Sequence, residues 1–460
     1  MSLSLRRGTV TGITEEHEDL TRLEVDGEPA IAYPRLTGPV EIGDEVIVNV
    51  QARQLELGSG GFDVLYANLT RGLDAGVEDG AHVMTLPYTP LQAATRHVEE
   101  GGSLAETLNG MPVVCCSLHS QLAPVRAGLG RGPRVAYVQL GGGALPVSLS
   151  DTVRTLKRAG LLEVSVAASP CTDGDVQAVT PASALAWCAA EGFDVLYANL
   201  TRGLDAGVED GAHVMTLPYT PLQAATKHVE EDGPLADRLD GMPVVCCSLH
   251  SQLAPVRAGL GRGPRVAYVQ LGGGALPVSL SDTVRTLKRA GLLEVAVAAS
   301  PCTDGDVQAV TPASALAWCA AQGFDVVVCS IGPGIVGTGT PLGHGGIAAA
   351  VAANTATALG GTPILAVRMS EADRRERHLG VSHHVRAILD LCLGEVTIAW
   401  PRGLDAPEWL EPREQVDVEG WHEDCARLPM SHMGRRLEDD PCFFMCAFAA
   451  GEVARDMLAA

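Results

Sequence analysis

Apolar residues in the second half of the chain come in short unbroken runs. Between these runs lie stretches in which they recur every three or four positions. The run at 243–249 (Pro-Val-Val-Cys-Cys-Ser-Leu) reads as a strand buried on both faces. Further runs at 265–270, 294–299, 325–331, 363–369 and 395–400 predict five more strands. Helices are expected from about Ser251, over 281–290, from Thr311-Pro312, over 345–359 and over 382–391. Ser281 is placed to cap the second of these, and Pro312 sits at the first helical position after the Thr311 cap. Strands alternating with helices of about 10–15 residues mean βαβ units and a parallel sheet. An apolar stretch at 442–458, entered through Asp440-Pro441, predicts a last helix that covers the sheet or a partner.

The N-terminal pattern is different. Apolar and polar residues alternate at 7–13, 21–25, 29–33 and 44–50, with Asp26-Gly27 and Gly43-Asp44 as turn-formers between them. This predicts a small β-barrel, SH3-like or OB-like, ending near Leu57. The expected fold class is α/β: the barrel, then a Rossmann-like parallel sheet with helices on both faces.

Half of that sheet occurs twice. Residues 61–191 return at 192–322 as a 131-residue tandem copy with eight substitutions. These are Arg96/Lys227, Gly101/Asp232, Ser103/Pro234, Glu106/Asp237, Thr107/Arg238, Asn109/Asp240, Ser165/Ala296 and Glu191/Gln322. The period is far longer than the roughly 20–50 residues of solenoid repeats. Gly-Phe-Asp-Val occurs at 61–64, 192–195 and 323–326, and the middle occurrence joins the upstream context of the last to the downstream context of the first. Unequal crossing-over at that shared stretch leaves such a chimaera. Removing one 131-residue copy from the 460 residues leaves a parent of 329. An error of sequence assembly is the bland alternative, and the substitutions argue against simple double counting. The expected organisation is a barrel at 1–60, an orphan copy at 61–191, and a second copy plus tail at 192–460. The orphan half would expose a sheet edge and an apolar face unless it packs on another half, so a homodimer or a poorly stable chain is expected.

Composition narrows the function classes. The formal charge is −22 and the sequence pI about 4.9. An acidic surface repels phosphate backbones, so nucleic-acid binding is disfavoured. No segment approaches the roughly 18 apolar residues of a membrane span, and the start has no apolar signal core. Thirteen cysteines, many inside apolar runs, read as small buried hydrophobes in a reducing cytoplasm.

In an open α/β sheet, ligands bind outside the carboxyl ends of the strands. Those ends carry His250, then Gly272-Gly273-Gly274, then Cys302, Thr303, Asp304 and Asp306. Next comes the loop Gly332-Pro333-Gly334-Ile335-Val336-Gly337-Thr338-Gly339-Thr340, with His344 beyond it. The fifth end carries Ser370, Asp373, Arg374, Arg375, Arg377 and His378, followed by Ser382-His383-His384. The fourth loop matches G-x-G-x-x-G after a strand. However, its helix begins late, no acid follows about 20 residues on, and no lysine makes it a Walker A loop. What survives is an anion cradle of closely spaced backbone N–H groups, weighed against a tight structural turn. The arginines are either a guanidinium clamp for phosphate or carboxylate or a solvated helix start. His250, His384 and Asp304 are candidates for acid/base work or metal ligation, against ordinary polar or capping roles. Adjacent histidines on a helix point about 100° apart, so one metal rarely takes both His383 and His384. No metal ligand set is assigned, and no cofactor is specified.

Together these motifs resemble the bacterial domain-of-unknown-function family 3866. The stretches that carry the resemblance are His213-Val214-Met215-Thr216-Leu217-Pro218-Tyr219-Thr220-Pro221-Leu222-Gln223, Leu249-His250-Ser251-Gln252, Gly273-Gly274-Ala275-Leu276-Pro277, Gly332-Pro333-Gly334 with Gly337-Thr338-Gly339-Thr340, and Arg377-His378-Leu379-Gly380-Val381-Ser382-His383-His384. The resemblance implies a cytoplasmic bacterial protein and supplies no activity. The tandem copy departs from the family pattern.

The sequence thus points to a small anionic ligand at the carboxyl edge of the sheet, with catalysis open. Gly332, Gly334, Gly337, Thr338, Gly339 and Thr340 would cradle it, and Arg374, Arg375, Arg377 and His378 would hold it. In an enzyme, His250 or His384 would move protons and Asp304 would orient. The opposing expectation is a noncatalytic sensor or scaffold with the barrel as docking module.

Overall fold

A computed structural model describes residues 3–17, 20–54, 61–72, 83–85, 92–101, 104–141, 146–168, 171, 173–200, 214–216, 224–226, 228–231, 233–299, 301–411 and 413–459. The chain divides into two compact units, Met1–Lys227 and His228–Ala460. Most of the turn-rich opening of each copy, including the motif at 213–223 apart from residues 214–216, lies outside the described residues.

The first unit begins with the expected barrel. Its strands are β1 (Leu5–Glu16), β2 (Thr21–Val25), β3 (Glu28–Ala32), β4 (Glu45–Asn49) and β5 (Asp63–Asn68), closed in the order β1-β2-β3-β5-β4. Val10, Leu23, Val25, Val46, Val48 and Leu65 fill it. The fifth strand corrects the barrel's expected end near residue 60. Four strands leave a gap between β3 and β4, and β5 fills it, pairing parallel to β3 and antiparallel to β4. Arg53 clamps the buried Asp63 at 2.9 Å, which pins the start of the closing strand.

The largest element of the rest of this unit is a five-stranded sheet. Its strands are β6 (Val113–Cys116), β7 (Val135–Leu140), β8 (Val164–Ala168), β9 (Val176–Ala178) and β10 (Val195–Leu200), in the order β9-β8-β7-β10-β6. All pairs are parallel. Here one sequence has two fates. Gly-Phe-Asp-Val-Leu-Tyr-Ala-Asn-Leu closes a barrel at 61–69, and at 192–200 it supplies a strand inside a parallel sheet. Strand propensity is common to both; the pairing partners decide which sheet it joins.

The second unit holds the complete sheet. Its strands are β11 (Pro243–Cys247), β12 (Val266–Leu271), β13 (Val295–Ala299), β14 (Val307–Ala309), β15 (Val326–Ile331), β16 (Thr362–Ala366), β17 (Thr397–Pro401) and β18 (Glu414–Val416). They lie in the order β14-β13-β12-β15-β11-β16-β17-β18, again all parallel. The six predicted strands are all present. The two additional ones, β14 and β18, are three residues each, too short to give a periodic signal. Helices α1 (Leu253–Gly259), α2 (Asp282–Arg289) and α6 (Pro441–Ala459) pack into the core on one face. Helices α3 (Pro312–Ala321), α4 (Ala348–Ala358) and α5 (His383–Leu391) cover the other. Ser281 and Thr311 cap α2 and α3 as their sequence positions indicate, each accepting a backbone N–H at 3.0 Å.

The tail is what separates the two copies. Helix α6 crosses α1 so closely that a Cβ on Gly451 would lie 2.1 Å from the Val256 carbonyl oxygen, and one on Gly259 would lie 2.2 Å from that of Phe448. The first copy has the sequence of α1 at Leu122–Leu129 but no tail strand or helix of its own. Ala123, Pro124 and Gly128 are accordingly exposed where Ala254, Pro255 and Gly259 are buried. Leu118 is 45% exposed, and its counterpart Leu249 is 6% exposed. The paired glycines supply an internal control. Gly259→Ala should destabilise the second unit by about 1–3 kcal/mol through overpacking. Gly128→Ala meets nothing within 4 Å and should leave stability unchanged or raise it by up to ~1 kcal/mol. Denaturant unfolding of the two variants checks this; equal losses would contradict it.

Candidate functional site

The carboxyl ends of three neighbouring strands, β15, β11 and β16, build the site. The glycine-rich loop after β15 lies backbone to backbone against the Gly272–Gly274 turn after β12. Ala275 N donates to Gly334 O (2.8 Å), Val336 N to Gly273 O (3.0 Å), Thr338 N to Gly343 O (2.8 Å) and Gly345 N to Val336 O (2.8 Å). A Cβ on Gly274 would lie 2.2 Å from Gly332 O, and one on Gly345 1.9 Å from Gly273 O. Glycine is required here so that two backbones can touch. Thr338 and Thr340 share a 2.9 Å hydroxyl contact, and Thr340 Oγ1 accepts from Gly343 N at 3.0 Å. Several of the loop's amides and both hydroxyls are therefore engaged within it. The loop is a braced turn that delivers His344. Gly339 faces outward, with Arg377 Nη1 3.9 Å from where its Cβ would be.

His344 meets a second set of histidines at the start of α5. Ser382 caps that helix, its hydroxyl accepting from His384 N at 3.3 Å and contacting His378 Nδ1 at 2.7 Å. The ring of His384 stacks on His344 with centroids 3.6 Å apart, and His383 lies 5.6 Å from His344 and 4.6 Å from His384. His378 is 4.9 Å from His383 and 4.8 Å from His384. The expected divergence of adjacent helical histidines does not keep these two apart, because His344 approaches from the preceding loop. One nitrogen each of His344, His383 and His384 lies within 4.8 Å of the others. Burial pushes the imidazoles of His344 and His378 down to about 3 and that of His383 to about 4, with nearby guanidinium groups acting in the same direction. His384 is lowered for the same reason. All four rings are neutral at pH 7.

Arg368 joins this cluster to a second one. It is 2% exposed, and its Nη1 donates to His384 Nδ1 at 3.0 Å. Its Nη2 lies 3.6 Å from Asp373. Asp373 also receives Arg375 in a two-pronged pair (3.0 and 2.8 Å) and has Arg435 at 3.5 Å. Hydrogen bonds from Arg375 hold the Asp373 carboxyl well below the usual range. Arg435 pairs with the buried Asp440 at 3.1 Å, and the Ser370 hydroxyl donates to the same carboxylate at 2.6 Å. Burial pushes Arg368 down to about 10, so it stays charged at pH 7. Three guanidinium groups (Arg368, Arg375, Arg435) thus face two carboxylates, and Arg377 adds positive charge at the rim.

Hydrogen-bond accounting singles out this place. The buried side-chain atoms without a hydrogen-bond partner include both ring nitrogens of His344, Nε2 of His383, Nε2 of His432, and Nε of Arg368. Arg435 Nε and Nη2 join them, being ion-paired but not aligned for hydrogen bonds. All seven of these atoms are nitrogens, whereas the unpartnered oxygens, on Gln51, Glu99 and Glu230, lie elsewhere. Folded proteins leave few such groups unpaired, each costing about 1–3 kcal/mol.

The remaining predicted residues sit elsewhere. His250 is buried, with Nδ1 3.1 Å from the Tyr268 hydroxyl and Nε2 2.7 Å from the Ser281 hydroxyl. A serine does meet a histidine here, but Ser281 is the α2 cap and, among the described residues, no carboxylate bonds the ring. Asp304 is exposed in a left-handed turn (φ 63°) and accepts from Ser279 Oγ at 2.9 Å. Among the described residues, neither makes a hydrogen bond or ion pair with the histidine–arginine cluster. Arg374 and Arg377 are exposed, and the fork of Arg375 is committed to Asp373. Sequence reasoning missed Arg368, His432 and Arg435. Arg368 carried a usable signal, a guanidinium inside the apolar run 363–369; the other two lie in a tail segment without periodicity.

The family described as protein of unknown function DUF3866 matches residues 29–197 and again 189–451. The chain belongs to the DUF3866 family. The double match follows the tandem copy, and the second match contains every histidine and arginine of the cluster. No curated protein matches the chain. Membership brings no activity with it, so the chemistry rests on the site itself. No helix among the described residues is long and apolar enough to cross a membrane.

His250 gives a pH prediction. Burial lowers its folded pKa from 6.5 to about 4. A depressed value means stability fully present above pH 6.5 and lost as pH falls from there through 4, amounting to about 3 kcal/mol. Chemical denaturation of the wild type and His250→Gln at pH 7.5 and 4.5 reads this. The variant should lose less stability between the two pH values; an unchanged difference would refute the assignment.

Proposed function

We propose that the protein binds a small ligand bearing a phosphate or carboxylate group at the carboxyl edge of β15, β11 and β16. The observation that supports this is the concentration of partnerless buried nitrogens around Arg368. An oxyanion offers acceptor oxygens that such a set lacks, and guanidinium groups take phosphate or carboxylate with short charge-assisted bonds. The excess of positive charge in a chain of formal charge −22 supports the same reading. Arg368 and His344 form the floor in this proposal, and Arg377, exposed beside Gly339, is the arm that reaches the ligand from solvent. The glycine loop shapes the wall. His378 and His384 position the floor and, as neutral rings, serve as donors or acceptors without adding charge.

The test is ligand-dependent unfolding with inorganic phosphate and with simple dicarboxylates, alongside mass spectrometry of small molecules that co-purify with the full chain. A ligand at a hundred times its Kd should stabilise the protein by about 2.7 kcal/mol. Arg377→Gln should weaken binding roughly tenfold, about 1.4 kcal/mol, while leaving unliganded stability unchanged. No stabilisation by any anion, and none co-purified, would overturn the proposal.

A further inference from the structure

The three-histidine group carries an inference of its own. His344 is 1% exposed, and neither of its ring nitrogens has a hydrogen-bond partner; the buried Nε2 of His383 is in the same position. An anion can satisfy an N–H, but a bare imidazole lone pair calls for a proton donor or a metal ion. Among the described residues no such donor meets these nitrogens, and one nitrogen of each of the three rings lies within 4.8 Å of the others. We propose that His344, His383 and His384 bind one divalent transition-metal ion of the zinc, cobalt or nickel class, leaving an open coordination position. Imidazole sets favour these metals, and three protein ligands with a free position are the arrangement of reactive rather than structural zinc sites.

The surroundings determine what fills that position. A dication among Arg368, Arg375 and Arg377 is repelled unless an anion accompanies it. The fourth ligand is therefore the oxyanion of the preceding proposal, and this clause alone rests on that reading. His384 adds a constraint. Its Nδ1 accepts from Arg368, so the neutral ring carries its proton on Nε2, the nitrogen left for the metal. Loading breaks that Nε2–H bond, sends the proton to solvent and leaves an imidazolate held between the metal and the Arg368 guanidinium, so His384 is the costliest of the three ligands to engage. Because residues 344, 383 and 384 all lie beyond the duplicated segment, each chain has one such site.

Cobalt(II) titration of the chelator-stripped full-length chain in phosphate-free buffer tests the proposal. The expected result is one cobalt per chain with visible absorption bands of a four- or five-coordinate ion, and zinc displacing it. His383→Ala, at a partly buried position, should bind cobalt at least tenfold more weakly while keeping the wild-type unfolding midpoint. His344→Ala should lose binding as well. Absence of stoichiometric cobalt binding, or equal binding by a folded His383→Ala protein, would overturn the site. Phosphate is then added to the cobalt form: a change in the bands supports the anion as fourth ligand. Unchanged bands remove that clause and count against the anion reading, leaving the metal site standing.

Discussion

A parallel sheet has to be covered on both faces, and this chain carries one tail to cover two copies of the same half-sheet. Strands β16–β18 with helices α4, α5 and α6 exist once. They complete the second copy, where α6 fits against α1 through the contact of Gly451 with Gly259. The first copy borrows a strand from the start of the second, β10, in the place that β15 occupies in the complete sheet, and its pairing stops at the edge strand β6. Identical residues therefore live in different solvents. Cys115 is exposed and Cys246 is buried, with no difference in local sequence to account for it.

The same constraint decides where a site can form. His119 keeps the hydroxyl contacts of His250, to Tyr137 and Ser150, so the duplicated part reproduces its own local chemistry. It cannot reproduce the cluster, because His344, Arg368, Asp373, the α5 histidines, His432 and Arg435 all come from the tail. What the duplicated half contributes to the complete unit is the wall and the shaping turn: Gly272–Gly274 against the glycine loop, and Ser251 against His432 at 3.0 Å. The cluster is thus single while half the scaffold is double.

Most of the fold was legible in the residues. Six strand runs, the Ser281 and Thr311 caps and the apolar C-terminal helix needed only periodicity and capping rules. Strand β5 was not legible, because the sequence that closes the barrel also serves as a sheet strand 131 residues later. The site was legible as a neighbourhood and less so as a residue list. The glycine spacing suggested a cradle, yet the loop is tied to the segment around Gly272–Gly274, a distant stretch of chain: Val336 N donates to Gly273 O, and the Pro333 and Gly334 carbonyls accept from Ala275 N. The arginines of 374–377 were conspicuous in sequence, whereas the buried one, Arg368, was hidden in an apolar strand run. His383 and His384 converge on His344 because a loop from another strand end brings a ring to them, which helical geometry alone does not foretell.

Amide hydrogen exchange followed by mass spectrometry tests the central claim most directly. Residues 110–164 and 241–295 are identical, so their peptides share masses and every isotopic envelope samples both copies at once. Peptides spanning 113–129 and 244–260 should give two envelopes of equal area, one exchanging early from the uncovered copy and one protected beneath the tail. A single, uniformly protected envelope would show both copies equally covered and would contradict the account.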